Sequence, residues 1–351
     1  MAAITNSGQR VVVADDSRLM RRILSDALGR QGFDVVATAA DGDEALAACN
    51  EHRPDALTLD LHMPGLDGLG VLRALRAGKA EPVPVVVVSA FSPAHGARAV
   101  DALAEGALDL VAKPAMGESL TDFTAELARK VGDAAEAGKA RKRRPVSAPV
   151  APAAPRAAVR PRTATRKVVL IASSTGGPKA LGELIPRLPA PLGTGSLIIQ
   201  HMPAGFTASL ATRLDSASKL QVSEAAGGEA LDPKKLYLAP GGAHLRMGAD
   251  GRVRLSDEAP LGGLRPRADL TITDAAKLFG PALVLVVLTG MGKDGLEGAR
   301  AVKAAGGRVL AEAESTCVVY GMPRAVAEAG LADEVLPLHE LPVAIAREAG
   351  A

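Results

Sequence analysis

The sequence predicts an α/β protein of two domains. Strand-like apolar runs alternate with amphipathic helix-like stretches in two separate series, and a segment rich in alanine, proline and arginine divides them. At 351 residues the chain exceeds one typical domain, and its 48% hydrophobic share is enough for two cores.

In the first domain, residues 1–131, strands are expected at Val11–Val13, Val35-Val36, Ala56–Leu59, Val83–Val88 and Leu108–Ala112. The helix after the first strand carries Leu19, Met20, Ile23, Leu24, Ala27 and Leu28 on one face, and Gly32 lies just past its end. Five such β-α units predict a five-stranded, parallel, doubly wound sheet. From Ala134 the composition changes: Pro145, Pro149, Pro152, Pro155 and Pro161 block helix, and nothing large is available to bury. A flexible Ala/Pro/Arg-rich linker is therefore expected over 132–165. The second domain, 166–351, has strand patterns at 167–172, 196–200, 235–239, 283–288 and 307–311. A hairpin is expected where His244–Met247 and Val253–Leu255 flank Asp250-Gly251. It reads as a doubly wound, mostly parallel α/β domain with one antiparallel excursion.

The net charge of +2 conceals an asymmetry. Ten of the 41 basic residues lie between Lys139 and Lys167, leaving 31 against 39 acidic residues elsewhere, so the folded parts are acidic. Without interleaved aromatics the basic run reads as solvated linker charge, and no nucleic-acid partner is expected. No apolar run approaches the ~20 residues that span a bilayer. Met1–Asn6 lacks a basic stretch leading into an apolar core, so a cytoplasmic protein without membrane insertion is expected. Cys49 and Cys317, one in each half, read as reduced core thiols.

Chemistry-bearing residues sit at strand ends in both halves. In the first, Asp15 and Asp16 follow the first strand, Asp60 follows the third, Ser89 closes the fourth and Lys113-Pro114 the fifth. Parallel strands place these ends on one edge. Carboxylates there suit a hard cation such as Mg²⁺. With Mg²⁺ and Lys113 screening the incoming group, Asp60 can attack a phosphoryl donor and become an aspartyl phosphate. Ser89 can then turn toward the new oxygens and pass the signal on.

In the second half, Val168–Ala172 runs into Ser173-Ser174-Thr175-Gly176-Gly177, Leu197–Ile199 into Gln200-His201, and Leu283–Leu288 into Thr289-Gly290-Met291-Gly292-Lys293-Asp294-Gly295. A serine needs a base and the base an orienting acid, and Ser174, His201 and Asp294 supply all three. Gly176-Gly177 and Pro178 suit a helix N-terminus that stabilises an oxyanion. Ser173 and Thr175 are alternative nucleophiles, and His244 is an alternative base. The α/β-hydrolase elbow needs glycine where Ala172 stands and the order serine, acid, histidine, so that fold is not expected. A DNA-binding output domain would call for a basic helix-turn-helix, whereas this half is strand-rich.

Residues 9–131, including the Met63-Pro64-Gly65-Leu66-Asp67-Gly68 loop, resemble a response-regulator receiver domain of flavodoxin-like fold. The resemblance implies Asp60 as phosphoacceptor, Asp15, Asp16, Asp60 and the His62 carbonyl as Mg²⁺ ligands, and Ser89 and Lys113 as switch residues. Leu110 stands where receivers usually carry a switch aromatic.

Five stretches of the second half, Ser173–Gly177, Gln200–Pro203, Tyr237–His244, Leu288–Gly295 and Val318–Pro323, resemble the chemotaxis protein-glutamate methylesterase/glutaminase family known as CheB. The departures are Ala172, where glycine is usual, and Arg267-Ala268-Asp269, where the family more often shows a serine before a valine. The resemblance implies Ser174 as nucleophile, His201 as base, Asp294 as its partner, and Met291 and Thr175 as oxyanion donors. It implies demethylation of chemoreceptor glutamates with release of methanol, deamidation of glutamines, and a role in sensory adaptation. The implied partners are methyl-accepting chemotaxis receptors or receptor-like proteins as substrate and a histidine kinase as phosphodonor, with recruitment to membrane receptor arrays. In such a protein the unphosphorylated receiver covers the active-site edge, Mg²⁺ serves phosphorylation only, and hydrolysis needs no cofactor.

Overall fold

Short β-branched runs, each followed by a capped helix, set the first domain. The computed structural model describes residues 8–78, 83–90, 92–114, 119–143 and 166–350. Strands β1 (Arg10–Ala14), β2 (Asp34–Ala39), β3 (Ala56–Leu59), β4 (Val85–Ser89) and β5 (Asp109–Ala112) alternate with α1 (Arg18–Arg30), α2 (Gly42–His52), α3 (Gly68–Ala77), α4 (Pro93–Glu105) and α5 (Leu120–Arg143). The strands pair in parallel in the order β2-β1-β3-β4-β5, as the five β-α units predict. Ser17 caps α1, its hydroxyl accepting the Met20 N–H, so Asp15 and Asp16 are not needed as caps.

Two expectations change. Leu19 is 67% exposed, whereas Leu24, Ala27 and Leu28 are buried. Helical side chains lean toward the N-terminus, so one in the first turn reaches past the helix start and not across the sheet. The linker also begins later than its composition suggests, because α5 continues to Arg143 and buries Ala134 and Ala135 in one cluster with Val11, Val13 and Leu127. Residues 132–143 contain no proline and are rich in alanine, lysine and arginine, all good helix formers. Pro145, Pro149, Pro152, Pro155 and Pro161 lie outside the described residues.

Burial of Asp133 has a measurable consequence. Its carboxyl is 1% exposed. Burial pushes its pKa up to about 6, even though the neighbouring Arg129 pulls it down. Between the ordinary carboxylate value and about 6 the folded protein holds a proton that the unfolded chain releases. That contribution to stability is complete at low pH and is lost as the pH rises through about 6. Asp133→Asn is therefore expected to stabilise the protein by about 1–2 kcal/mol at pH 8 and to be nearly neutral at pH 4. Thermal melts at the two pH values check this.

The second domain is built on β6 (Val168–Ser173), β7 (Gly195–Gln200), β8 (Gln221–Glu224), β9 (Lys235–Leu238), β10 (His244–Met247), β11 (Val253–Ser256), β12 (Leu283–Val287), β13 (Arg308–Glu312) and β14 (Glu334–Leu336). Its helices are α6 (Gly177–Leu184), α7 (Phe206–Ala217), α8 (Ala268–Phe279), α9 (Leu296–Ala304), α10 (Met322–Glu328) and α11 (Leu341–Ala349). Seven strands form one sheet, β14-β13-β12-β6-β7-β9-β8, parallel throughout. Every residue of β6, β7 and β12 is buried, as expected of strands covered by helices on both faces. The expected hairpin is β10-β11, paired antiparallel. Strands β8 and β14 were not expected. Both are edge strands, where a short, partly polar segment suffices and the apolar signal is weak.

The chain builds outward from β6 through β7 and returns to the other side of β6 with β12, which makes the carboxyl ends of β6 and β12 a topological switch point. The two domains also pack together. One buried apolar cluster runs from Val87, Ala99 and Leu103 of the first into Leu181, Phe206 and Leu210 of the second, and Asp101 on α4 pairs with Arg213 on α7. Among the described residues no helix is long and apolar enough to cross a membrane. Both cysteines are buried, and burial pushes the Cys49 thiol up to about 12, which leaves it an inert core group.

Candidate active site

Three hydroxyls follow one another at the end of β6, and their surroundings separate them. Ser173 is fully buried and donates to Gln200 Oε1 at 2.7 Å. Thr175 Oγ1 donates to Asp109 Oδ2 on β5 at 2.6 Å. Ser174, 6% exposed, is the one of the three whose hydroxyl makes no hydrogen bond among the described residues. Its backbone N–H donates to Thr289 O at 3.0 Å, which ties the end of β6 to the loop after β12.

Gln200, at the end of β7, acts as a clamp. Its amide donates to Ser174 O and to His201 O, both at 3.0 Å, so one side chain sets the spacing of two strand ends. This packing explains Gly177, where an ideal Cβ would lie 1.9 Å from Gln200 Oε1. Gly290 is as constrained: a Cβ there would lie 2.8 Å from the Cβ of Ser174. Thr289 sustains the loop, its N–H donating to Glu312 Oε2 at 2.8 Å and its hydroxyl to Thr175 O at 3.0 Å. Burial holds the Glu312 carboxyl above its ordinary value.

His201 Nε2 lies 2.8 Å from Asp294 Oδ2, and its Nδ1 makes no hydrogen bond among the described residues. Asp294 is itself tightly held. Oδ2 also accepts the Ala268 N–H at 2.7 Å, and Oδ1 accepts the Asp269 and Gly295 N–H groups at 3.0 Å each. The Arg267 guanidinium Nε stands 2.9 Å from Oδ1. Burial raises the Asp294 pKa, but the His201 contact, the Arg267 charge and the N–H groups outweigh burial and hold the carboxyl well below the usual range. The alternative base, His244, is fully buried. Its Nδ1 accepts the Arg267 N–H at 3.1 Å and its Nε2 faces Ala259 O at 3.3 Å, so both nitrogens serve the backbone. The Thr175 and Met291 N–H groups donate to no acceptor among the described residues.

Four supporting residues escaped the sequence reading: Gln200 as a clamp, Arg267 and Asp269 behind the acid, and Glu312 beneath Thr289. Arg267 and Asp269 carried a weak signal, as charges in a stretch that departs from the family pattern. Glu312 carried none beyond its place at a strand end.

The first domain's acids also converge. Ligand atoms of Asp15, Asp16 and Asp60 lie within 4.8 Å of one another. Lys113 Nζ sits 2.7 Å from Asp15 and 2.6 Å from Asp60. Burial pushes the Asp15 carboxyl up despite Lys113, with the Asp60 charge adding to the effect. The hard oxygen donors and the uncompensated negative charge fit a divalent cation. Ser89 is fully buried at the end of β4 and accepts the Lys113 N–H through its carbonyl at 2.8 Å. Leu110 is fully buried, and its carbonyl accepts from Lys130 Nζ at 2.6 Å. From this domain Leu108 O accepts the Gly176 N–H at 3.1 Å, so with Asp109 on Thr175 the start of β5 rests on the turn after Ser174.

A family model described as CheB methylesterase matches residues 169–345, and one described as response regulator receiver domain matches residues 11–124. The chain is 44% identical to the protein-glutamate methylesterase/protein-glutamine glutaminase of Symbiobacterium thermophilum, with 97% of each chain covered. It is 45% identical to protein-glutamate methylesterase/protein-glutamine glutaminase 5 of Myxococcus xanthus, with 94% of this chain and 95% of that one covered. The crystal structure of the Thermotoga maritima CheB methylesterase catalytic domain is similar at TM-score 0.51 and 46% identity, covering 52% of this chain and 98% of that chain.

Proposed function

Because the chain belongs to the CheB methylesterase family, we propose that Ser174, His201 and Asp294 form the triad with which it hydrolyses glutamate methyl esters on methyl-accepting chemotaxis receptors. Ser174 Oγ attacks the side-chain carbonyl carbon while its proton passes to His201 Nδ1, and Asp294 keeps the proton on Nε2 in place. The Met291 and Thr175 N–H groups receive the oxyanion. Collapse breaks the bond to the methoxy oxygen, and His201 returns the proton to methanol. Water then gives a proton to His201, attacks the acyl carbon and frees Ser174. A glutamine follows the same route with ammonia as leaving group. The observation that carries this reading is that Ser174 alone of the three adjacent hydroxyls makes no hydrogen bond among the described residues, beside a histidine anchored on a buried aspartate.

The enzyme is regulated through its receiver domain. In our reading a histidine kinase phosphorylates Asp60 and the protein works at membrane receptor arrays. Asp15, Asp16, Asp60 and the His62 carbonyl would hold Mg²⁺, which would supply screening of the phosphoryl charge. Lys113 and Ser89 then re-pair with the modified Asp60, and β5 relaxes its hold on Thr175 and Gly176. The contact of Asp109 with Thr175 supports this, because it ties the receiver to the residue beside the nucleophile. A small-molecule phosphodonor is expected to raise methanol release from methylated receptor several-fold. Asp60→Asn or chelation of divalent cations is expected to abolish that increase and leave basal release unchanged. A phosphodonor response in Asp60→Asn would remove the phosphoacceptor assignment.

A further inference from the structure

Behind the triad acid lies a second carboxylate, and one guanidinium holds both. Arg267 Nε is 2.9 Å from Asp294 Oδ1 and Nη2 is 2.9 Å from Asp269 Oδ2, while Nη1 donates to Leu261 O at 3.1 Å. The Arg267 backbone is fixed as well, through its N–H on the buried His244. Asp269 Oδ1 accepts the Gly295 and Gly298 N–H groups at 2.9 and 2.8 Å, which leaves Oδ2 facing the guanidinium. Behind Asp294, the carboxylate in contact with His201, stand Arg267 and Asp269.

We propose that Arg267 is a positioning residue of this triad, holding Asp294 by Oδ1 so that Oδ2 is presented to His201, and offsetting the second carboxylate so that the base is not over-stabilised in its protonated form. This rests on the triad reading above. With Arg267 present, one fixed positive charge offsets the two carboxylates behind the imidazole; without it that offset is lost. A more negative surrounding favours imidazolium, and a histidine already protonated cannot take the serine proton.

The test is the pH dependence of kcat/KM for methanol release by the full-length protein with phosphodonor present. Arg267→Gln is expected to move the acid limb to higher pH by about half a unit to one unit, and to lower the rate at pH 7 by a factor of about 3 to 10. Arg267→Lys, which keeps the charge, is expected to restore most of the limb. The double variant Arg267→Gln with Asp269→Asn is expected to bring it back as well, because the amide oxygen of the introduced asparagine still accepts from Gly295 and Gly298 while its NH₂ points at the vacated site. An acid limb that does not move in Arg267→Gln overturns the proposal, whether or not rate or melting temperature falls. A limb that moves but is not restored by the double variant also overturns it. Ser174→Ala in the same assay separates the two readings. Wild-type release from Ser174→Ala strikes the triad itself, whereas abolished release there with an unshifted Arg267→Gln strikes Arg267 alone.

Discussion

Alanine at position 174 is expected to lower methanol release from methylated receptor by a factor of about 10⁴ to 10⁶, with the remainder owed to binding and the oxyanion donors. The fold should scarcely register the change. The Ser174 hydroxyl makes no hydrogen bond among the described residues, so removing it leaves no group unpaired, and stability should stay within about 0.5 kcal/mol. Ser173→Ala is the informative contrast. It breaks the bond to Gln200, whose amide spaces Ser174 and His201, so it should cost about 1 kcal/mol of stability and only a modest fraction of the rate. Comparing the two variants for methanol release and melting temperature assigns the nucleophile. Equal release from wild type and Ser174→Ala would refute it.

Asparagine at position 294 should be nearly as damaging, at about 10³ to 10⁴ in kcat. The substitution preserves shape, but the surroundings admit only an acceptor. Oδ2 receives the Ala268 N–H and faces His201, while Oδ1 receives the Asp269 and Gly295 N–H groups and the Arg267 charge. An amide NH₂ in either orientation meets N–H donors. If it faces His201 it also reverses the tautomer, moving the proton to Nδ1 and leaving the ring unable to accept one from Ser174. A loss of about 1–3 kcal/mol of stability accompanies the change. Rates read well below the melting temperature separate the two effects. Full activity in Asp294→Asn would show that His201 is oriented by something else.

Much of the catalytic domain could be read from the chain because its central strands are apolar from end to end. Val168–Ala172, Leu197–Ile199 and Leu283–Leu288 announce themselves as buried parallel strands, and parallel strands bring the residues after their carboxyl ends to one edge. The strands seen there are β6, β7 and β12, each buried along its whole length. Edge strands β8 and β14 and the later helical turns of α5 lacked so strong a pattern. In α5 alanine, lysine and arginine are compatible with either helix or linker, and packing against β1 decides between them. Leu19 shows the converse, an apolar residue with helical spacing and nothing over it.

Chain order and spacing by themselves determined that a serine, a histidine and an aspartate stand at one edge, that acids and a lysine stand at another, and that the order serine, histidine, aspartate does not fit the α/β-hydrolase elbow. Only tertiary structure decided which of Ser173, Ser174 and Thr175 has a hydroxyl without a hydrogen bond among the described residues. The partners that occupy the other two, Gln200 and Asp109, lie 27 and 66 residues away. It likewise made His244 a backbone support and Arg267 the bridge between Asp294 and Asp269. Periodicity and propensity describe one element at a time, whereas a polar group's role depends on which donors and acceptors the fold brings within hydrogen-bonding distance.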